Sequence, residues 1–130
     1  MAFFGYRNLV AYIKACEVRS KVYQLVKDFP KEEQFALSNQ LRRAVVSVTS
    51  NIAEGMSRFS NKDKVHFLEM SFGSLMEVMS QLEIAEEENY ISKAEFQNTE
   101  TLVSEAARLI SGLQKSFVKP NNDNTEDSKS

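Results

Sequence analysis

Apolar residues recur along this chain at three- and four-residue steps, the spacing that puts them on one face of an α-helix. Four long segments carry the pattern, and no stretch alternates convincingly at the two-residue period of a half-buried strand. The first segment runs from about Tyr6 to Val26. Leu9, Ile13, Cys16, Tyr23 and Val26 share one of its faces and are expected to form its core stripe. Asp28-Phe29-Pro30 interrupts it, because proline restricts the residue before it and lacks an amide donor. Pro30 suits the first turn of a following helix, where Glu32 and Glu33 are favourable at the positive end of the dipole.

The second segment spans about Lys31 to Ser57, with Leu37, Leu41, Ala44, Val48 and Ile52 as its stripe. Gly55 and the cluster from Ser57 to Asn61 end it, and Asn61 is expected to cap the third helix with Asp63 in its first turn. In the third segment Val65, Leu68, Phe72, Leu75, Met79 and Leu82 keep the a and d positions of a heptad. Glu86, Glu87 and Glu88 sit near its negative end, and Asn89 and Tyr90 lead out of it. The fourth opens on Ser92-Lys93-Ala94-Glu95, which fits a capping box. Phe96, Thr99, Val103, Ala106, Ile110, Leu113 and Phe117 again hold heptad spacing, and Pro120 is expected to stop the helix. Residues 119–130 are polar, without an apolar anchor, and are expected to form a disordered tail. The expected fold class is all-α. Four helices of roughly 25 residues, each roughly 37 Å long, joined by short connectors describe an antiparallel up-down four-helix bundle over residues 1–118.

Composition narrows the picture little further. The 130 residues suit one domain, and a single cysteine excludes an intrachain disulfide. No apolar run nears the roughly 20 residues that span a bilayer, and the N-terminus lacks a signal-peptide pattern. A cytoplasmic location and no membrane partner are therefore expected. Charge changes the picture more. The formal net charge is −2, yet residues 1–64 hold eleven Lys/Arg against six Asp/Glu, while residues 65–118 hold three against nine. Such a split means a binding face or two helical pairs that attract each other.

Catalytic chemistry has little to stand on. His66 is the only histidine and Cys16 the only cysteine, so neither a metal site nor a nucleophile with its base is marked. No glycine-rich phosphate loop or nucleophile elbow occurs. The five methionines read as core filler and start residue. No enzyme activity, cofactor, metal or small-molecule substrate is expected.

Two features remain. On the second helix Arg43, Ser47, Ser50, Asn51, Glu54 and Arg58 share a face beside the apolar stripe, and Ser71, Ser74, Val78 and Gln81 flank the seam of the third. These stripes are polar packing within one chain, plain solvent surface, or a subunit interface, with Ser47, Asn51, Glu54, Ser71, Ser74 and Gln81 as interface candidates. Arg42, Arg43, Arg58, Lys62 and Lys64 are candidates for phosphate contact, or for salt bridges to the glutamates of the third and fourth helices.

The run Phe29-Pro30, Glu33, Leu37, Gln40-Leu41-Arg42-Arg43-Ala44, Ser47 and Ser50-Asn51-Ile52-Ala53-Glu54-Gly55 resembles the signature of the 23S rRNA-intervening sequence proteins. Phe67-Leu68, Gly73-Ser74, Glu77 and Gln81-Leu82 continue the likeness, which covers about Leu9 to Phe117. Thr49 stands where many relatives carry proline, and the acidic balance departs from strongly basic relatives. The resemblance implies a small bacterial four-helix bundle. It is similar in turn to the accessory variability determinant proteins of diversity-generating retroelements, homopentamers that bind nucleic acid and a reverse transcriptase. The expectation is a non-catalytic homo-oligomeric scaffold or binding module, a pentamer by resemblance, contacting RNA, DNA or a nucleic-acid-handling protein. Its rival is a protein-binding adaptor with no nucleic-acid contact.

Overall fold

A computed structural model describes residues 2–118, and the expected tail at 119–130 lies outside the described residues. After a 3-10 turn at Ala2–Asn8 come four helices: α1 (Val10–Val26), α2 (Leu37–Met56), α3 (Asn61–Glu87) and α4 (Lys93–Ser116). A short 3-10 turn, Lys31–Glu33, sits between α1 and α2, and the described residues hold no strand. Each helix packs against two neighbours in the cyclic order α1, α2, α3, α4, which makes a four-helix bundle. No helix of the described residues is long and apolar enough to cross a membrane.

The expected stripe of α2 is the buried one: Leu37, Leu41, Ala44, Val48 and Ile52 all lie in the core, joined by Val45. In α4, Thr99, Val103, Ala106 and Ile110 are buried, with Phe96, Leu113 and Phe117 packed at the edge. The α3 seam shifts by part of a turn. Leu68, Leu75 and Leu82 are fully buried, but their deepest companions are Ser71, Val78 and Ala85, while Phe72 and Met79 are only partly covered.

The first helix turns a different face inward than its large residues suggest. Its core members are Ala11, Ala15, Val18, Val22 and Leu25, with Val26. Ile13 and Tyr23 stand 45% and 40% exposed. Small alanines at Ala11 and Ala15 allow close helix approach, so the face with the smaller side chains is the one that packs. Of the expected stripe, Val26 is in the core, Leu9 and Cys16 are half-buried, and Ile13 and Tyr23 lie on the outer side of α1.

Boundaries follow local hydrogen bonding. Ser60, not Asn61, caps α3, its hydroxyl accepting from the Asp63 amide at 3.1 Å. Ser92 caps α4 as expected, accepting from the Glu95 amide at 3.0 Å. The α3 C-terminus closes on Asn89, which takes the left-handed conformation (φ 63°), with the Tyr90 amide donating to the Ala85 carbonyl at 2.8 Å. The second helix was expected from Lys31, but it starts at Leu37. Ahead of it Glu33 Oε1 accepts from the Leu37 amide, and the Gln34 amide group donates to the Val26 and Phe29 carbonyls. Those bonds hold residues 31–36 as a cap for the end of α1 rather than as helix.

Candidate functional site

The polar stripes of α2 and α3 face each other inside one chain. Ser71 is fully buried and donates to the Val48 carbonyl at 2.7 Å. Ser47 and Ser74 share a hydrogen bond of 2.8 Å, and Asn51 Nδ2 donates to the Ser47 hydroxyl at 3.0 Å. Gln81, also buried, reaches Gln40 Oε1 at 3.5 Å and Glu77 Oε2 at 3.3 Å. Small hydroxyl side chains let the two backbones approach; Ser47–Ser74, Ser71–Val48 and Gln81–Gln40 bond across the seam, while Asn51 and Glu77 bond along their own helices and Gln81 Oε1 is left without a partner. Ser71 and Gln81 are therefore inner residues of the protomer, which corrects their expected place on a subunit surface. Of the other interface candidates, Ser47, Asn51 and Ser74 are half-buried in this seam, and Glu54 is exposed and pairs with Arg58 at 2.8 Å.

The five candidate cations do not form one patch. Arg42 donates to Gln34 Oε1 at 2.8 Å and so braces the cap that holds the end of α1. Arg43 is exposed on α2. Arg58 lies fifteen residues further on, two residues beyond the end of α2. Its guanidinium packs over the Phe67 ring, 4.5 Å from the centroid. Lys64 donates to the Met56 carbonyl at 3.2 Å and to the Arg58 carbonyl, closing the end of α2, and its ammonium lies 5.7 Å from the Phe117 ring centroid. Lys62 is exposed.

The basic and acidic parts of the chain do attract each other, through cations outside that set. Lys14 pairs with Glu105 at 3.2 Å and Lys21 with Glu95 at 2.7 Å, both between α1 and α4. The hydrogen bonds that the Lys14 ammonium donates to Glu17 and Glu105 push it up from its ordinary value.

At the same end as Arg42, Phe29 is buried against Tyr90, with ring centroids 5.4 Å apart, and the Tyr90 hydroxyl donates to Glu33 Oε2 at 2.9 Å. Several residues of the signature run (Phe29, Glu33, Arg42, Ser47 and Gly55) thus hold connections and seams of the bundle. Gly55 is required by close approach: a Cβ there would stand 2.9 Å from the Phe67 Cβ.

The surface without an internal partner is the outer side of α1 and α2. A groove of about 530 Å³ runs beside Tyr12, Ile13, Cys16 and Lys21, and one of about 450 Å³ lies between Tyr23, Arg42, Arg43 and Val46. Burial, with the Cys16 thiol beside it, pushes the Tyr12 hydroxyl above its ordinary 10.0. Tyr12 and Val46 were not singled out from the sequence. The signal that reveals this face is the stripe of Ile13, Cys16 and Tyr23 itself, read together with the alanines that displace it from the core.

Among the described residues no group of three or more His, Cys, Asp or Glu is placed to hold a metal ion. His66 is exposed on α3, edge-on to Phe67 at 5.7 Å, and Cys16 lies on α1, which does not pack on α3.

No curated protein matches the chain. Its fold is similar to a crystal structure of a protein with unknown function from the S23 ribosomal protein family of Bacteroides thetaiotaomicron, with a TM-score of 0.75 and 23% identity over 82% of this chain and 96% of that one. The family described as 23S rRNA-intervening sequence protein matches residues 7–112. That match takes in all of α1, α2 and α3 and most of α4, and so the chain belongs to the 23S rRNA-intervening sequence protein family.

Proposed function

We propose that this chain is a non-catalytic scaffold that self-associates through the outer face of α1 and α2. The observation that carries the reading is the stripe of exposed Ile13 and Tyr23 with half-buried Cys16 between them, flanked by Val46, on a helix whose other face is already buried. A soluble helix needs one apolar stripe to join its own bundle, and a second stripe needs a second partner. The matching surface is the outer side of α3, where Met70, Met76 and Ile84 are exposed among Glu69, Glu77, Glu83 and Glu87. Arg42 and Arg43 on one face and these glutamates on the other favour a head-to-tail contact, the kind that closes into a ring. The count of five comes from the likeness to pentameric relatives. The antiparallel order of neighbouring helices belongs to the same proposal. It is supported by the pairs Gln40–Gln81 and Ser47–Ser74, and by Lys14–Glu105 and Lys21–Glu95, whose numbers rise on one helix as they fall on the other.

The non-catalytic part rests on the separation of Cys16 and His66 on helices that do not pack together, and on open, shallow grooves in place of an enclosed pocket. Light scattering on the purified chain at micromolar concentration tests the assembly: several chain masses are expected, and a clean monomer contradicts the proposal.

A second reading, contact with RNA or DNA, keeps support from Arg43 and Lys62, which are exposed and take part in none of the ion pairs among the described residues. A salt-titrated binding assay with Arg43→Glu and Lys62→Glu distinguishes it from a protein-only adaptor: charge reversal abolishes nucleic-acid affinity under this reading and changes nothing under the adaptor reading.

A further inference from the structure

Folding the chain gathers charge by end as well as by half. The start of α1 lies against the end of α4, where Leu9 and Val10 share a groove with Leu113 and Ser116. Gln114 Nε2 donates to the Val65 carbonyl and Lys64 to the Met56 carbonyl, so the start of α3 and the end of α2 meet at that same end. Arg7, Arg58, Lys62, Lys64 and Lys115 collect there against Glu54 and Asp63. At the opposite end, joined by the Tyr90–Glu33 bond, Glu32, Glu33, Glu86, Glu87 and Glu88 outnumber Lys27 and Lys31.

The basic end also carries uncovered aromatic rings. Phe59, in the connection between α2 and α3, is fully exposed, Phe3 is 81% exposed and Phe4 53%. Val118, two residues beyond the end of α4, is also exposed. Arg58 and Lys64 are held by protein groups, and Arg7 donates to the Phe4 carbonyl at 3.4 Å and lies 5.2 Å over the Phe4 ring, whereas Lys62 and Lys115 are exposed and take part in none of the ion pairs among the described residues. The Phe3 and Phe59 rings, left almost wholly uncovered, protrude from the surface rather than lining a groove. Protruding phenylalanines at an end where cations outnumber acids, with most of the acid at the far end, suit a soft apolar layer beneath negative charge.

We propose that this end docks on a bilayer surface bearing anionic headgroups, with Phe3, Phe4 and Phe59 entering the interfacial layer and Arg7, Lys62 and Lys115 facing the headgroups. A surface contact of this kind needs no spanning helix, so it revises the expectation of no membrane partner without conflicting with the helix lengths. It borders the self-association face, because Arg7 also lines the groove beside Tyr12, Ile13 and Cys16, while Phe59, Lys62 and Lys115 lie outside that groove.

The test is co-sedimentation of the full chain with vesicles of phosphatidylcholine alone and of phosphatidylcholine mixed with phosphatidylglycerol. The chain pellets with the anionic vesicles, stays in solution with the neutral ones, and is released by high salt. The double variant Phe3→Ser, Phe59→Ser keeps its helicity and mass, because both rings are exposed, and loses roughly tenfold or more in vesicle affinity. Failure of the wild-type chain to pellet with anionic vesicles overturns the proposal, as does equal pelleting of the double variant. Phe59-dependent binding of a single-stranded oligonucleotide, with no vesicle binding, overturns it in favour of nucleic acid.

Discussion

The Tyr90 hydroxyl donates to Glu33 Oε2 at 2.9 Å across 57 residues, tying the exit of α3 to the entry of α2. The other oxygen of the same carboxylate accepts from the Leu37 amide at 3.3 Å, so one side chain both caps α2 and anchors the far connection. That bond, followed by desolvation, raises the Tyr90 hydroxyl above its ordinary 10.0. A raised folded-state value makes the contribution to stability complete below the unfolded value and lost as pH rises through the folded one. Stability of the native chain therefore falls above about pH 10, and Tyr90→Phe is less stable at neutral pH but lacks this alkaline loss. Urea midpoints measured from pH 7 to 11 check both parts.

Gly55 is the glycine whose replacement costs most. Alanine gains helix propensity of up to about 1 kcal/mol, but its Cβ would stand 2.9 Å from the Phe67 Cβ, an atom too close to the backbone to move freely. Gly55→Ala is expected to lose about 1–2 kcal/mol net. Gly73→Ala, where nothing lies within 4 Å, is expected to gain about 0.5–1 kcal/mol. Chemical denaturation of the two variants separates close approach from propensity.

Asn89 holds the left-handed position that lets the Tyr90 amide reach the Ala85 carbonyl. Asn89→Ala is expected to lose about 1 kcal/mol, and Asn89→Gly to be neutral or better. Thermal melts of both variants test the assignment.

Ser71→Ala removes a buried donor to the Val48 carbonyl. The expected loss is about 1 kcal/mol, with no change in the mass of the assembly, since Ser71 is inside the protomer. A change in mass without loss of stability contradicts that placement.

Much of the fold was legible where large apolar residues fall on the buried face. Leu37, Leu41, Val48 and Ile52 give α2 a stripe that packing leaves in place, and Ser92 with Glu95 marks the start of α4 by a purely local bond. The first helix was misread because size and burial point opposite ways: Ala11 and Ala15 are too small to signal a core, while Ile13 and Tyr23 look like one. Asn61 and Ser60 are neighbours of equal capping ability, and only the geometry selects between them. The site was less legible than the fold. Arg42 and Arg43 look alike in sequence, but only the fold brings Gln34 to Arg42. Ser71 and Ser74 form a visible stripe, yet nothing local says whether its partner is α2 of the same chain or another molecule. The Tyr90–Glu33 bond and the basic aromatic end join residues from distant segments, and no periodicity carries that information.

A second copy is proposed to cover the outer side of α1. Sedimentation equilibrium of the wild-type chain and of Ile13→Asp tests it most directly. Ile13 is exposed in the protomer, so the variant keeps its helical content. The expected result is a wild-type mass that is a multiple of the 14.8 kDa chain and a variant that dissociates to monomer. A wild-type chain that sediments as a monomer at micromolar concentration, or an Ile13→Asp variant with undiminished assembly mass, would contradict it.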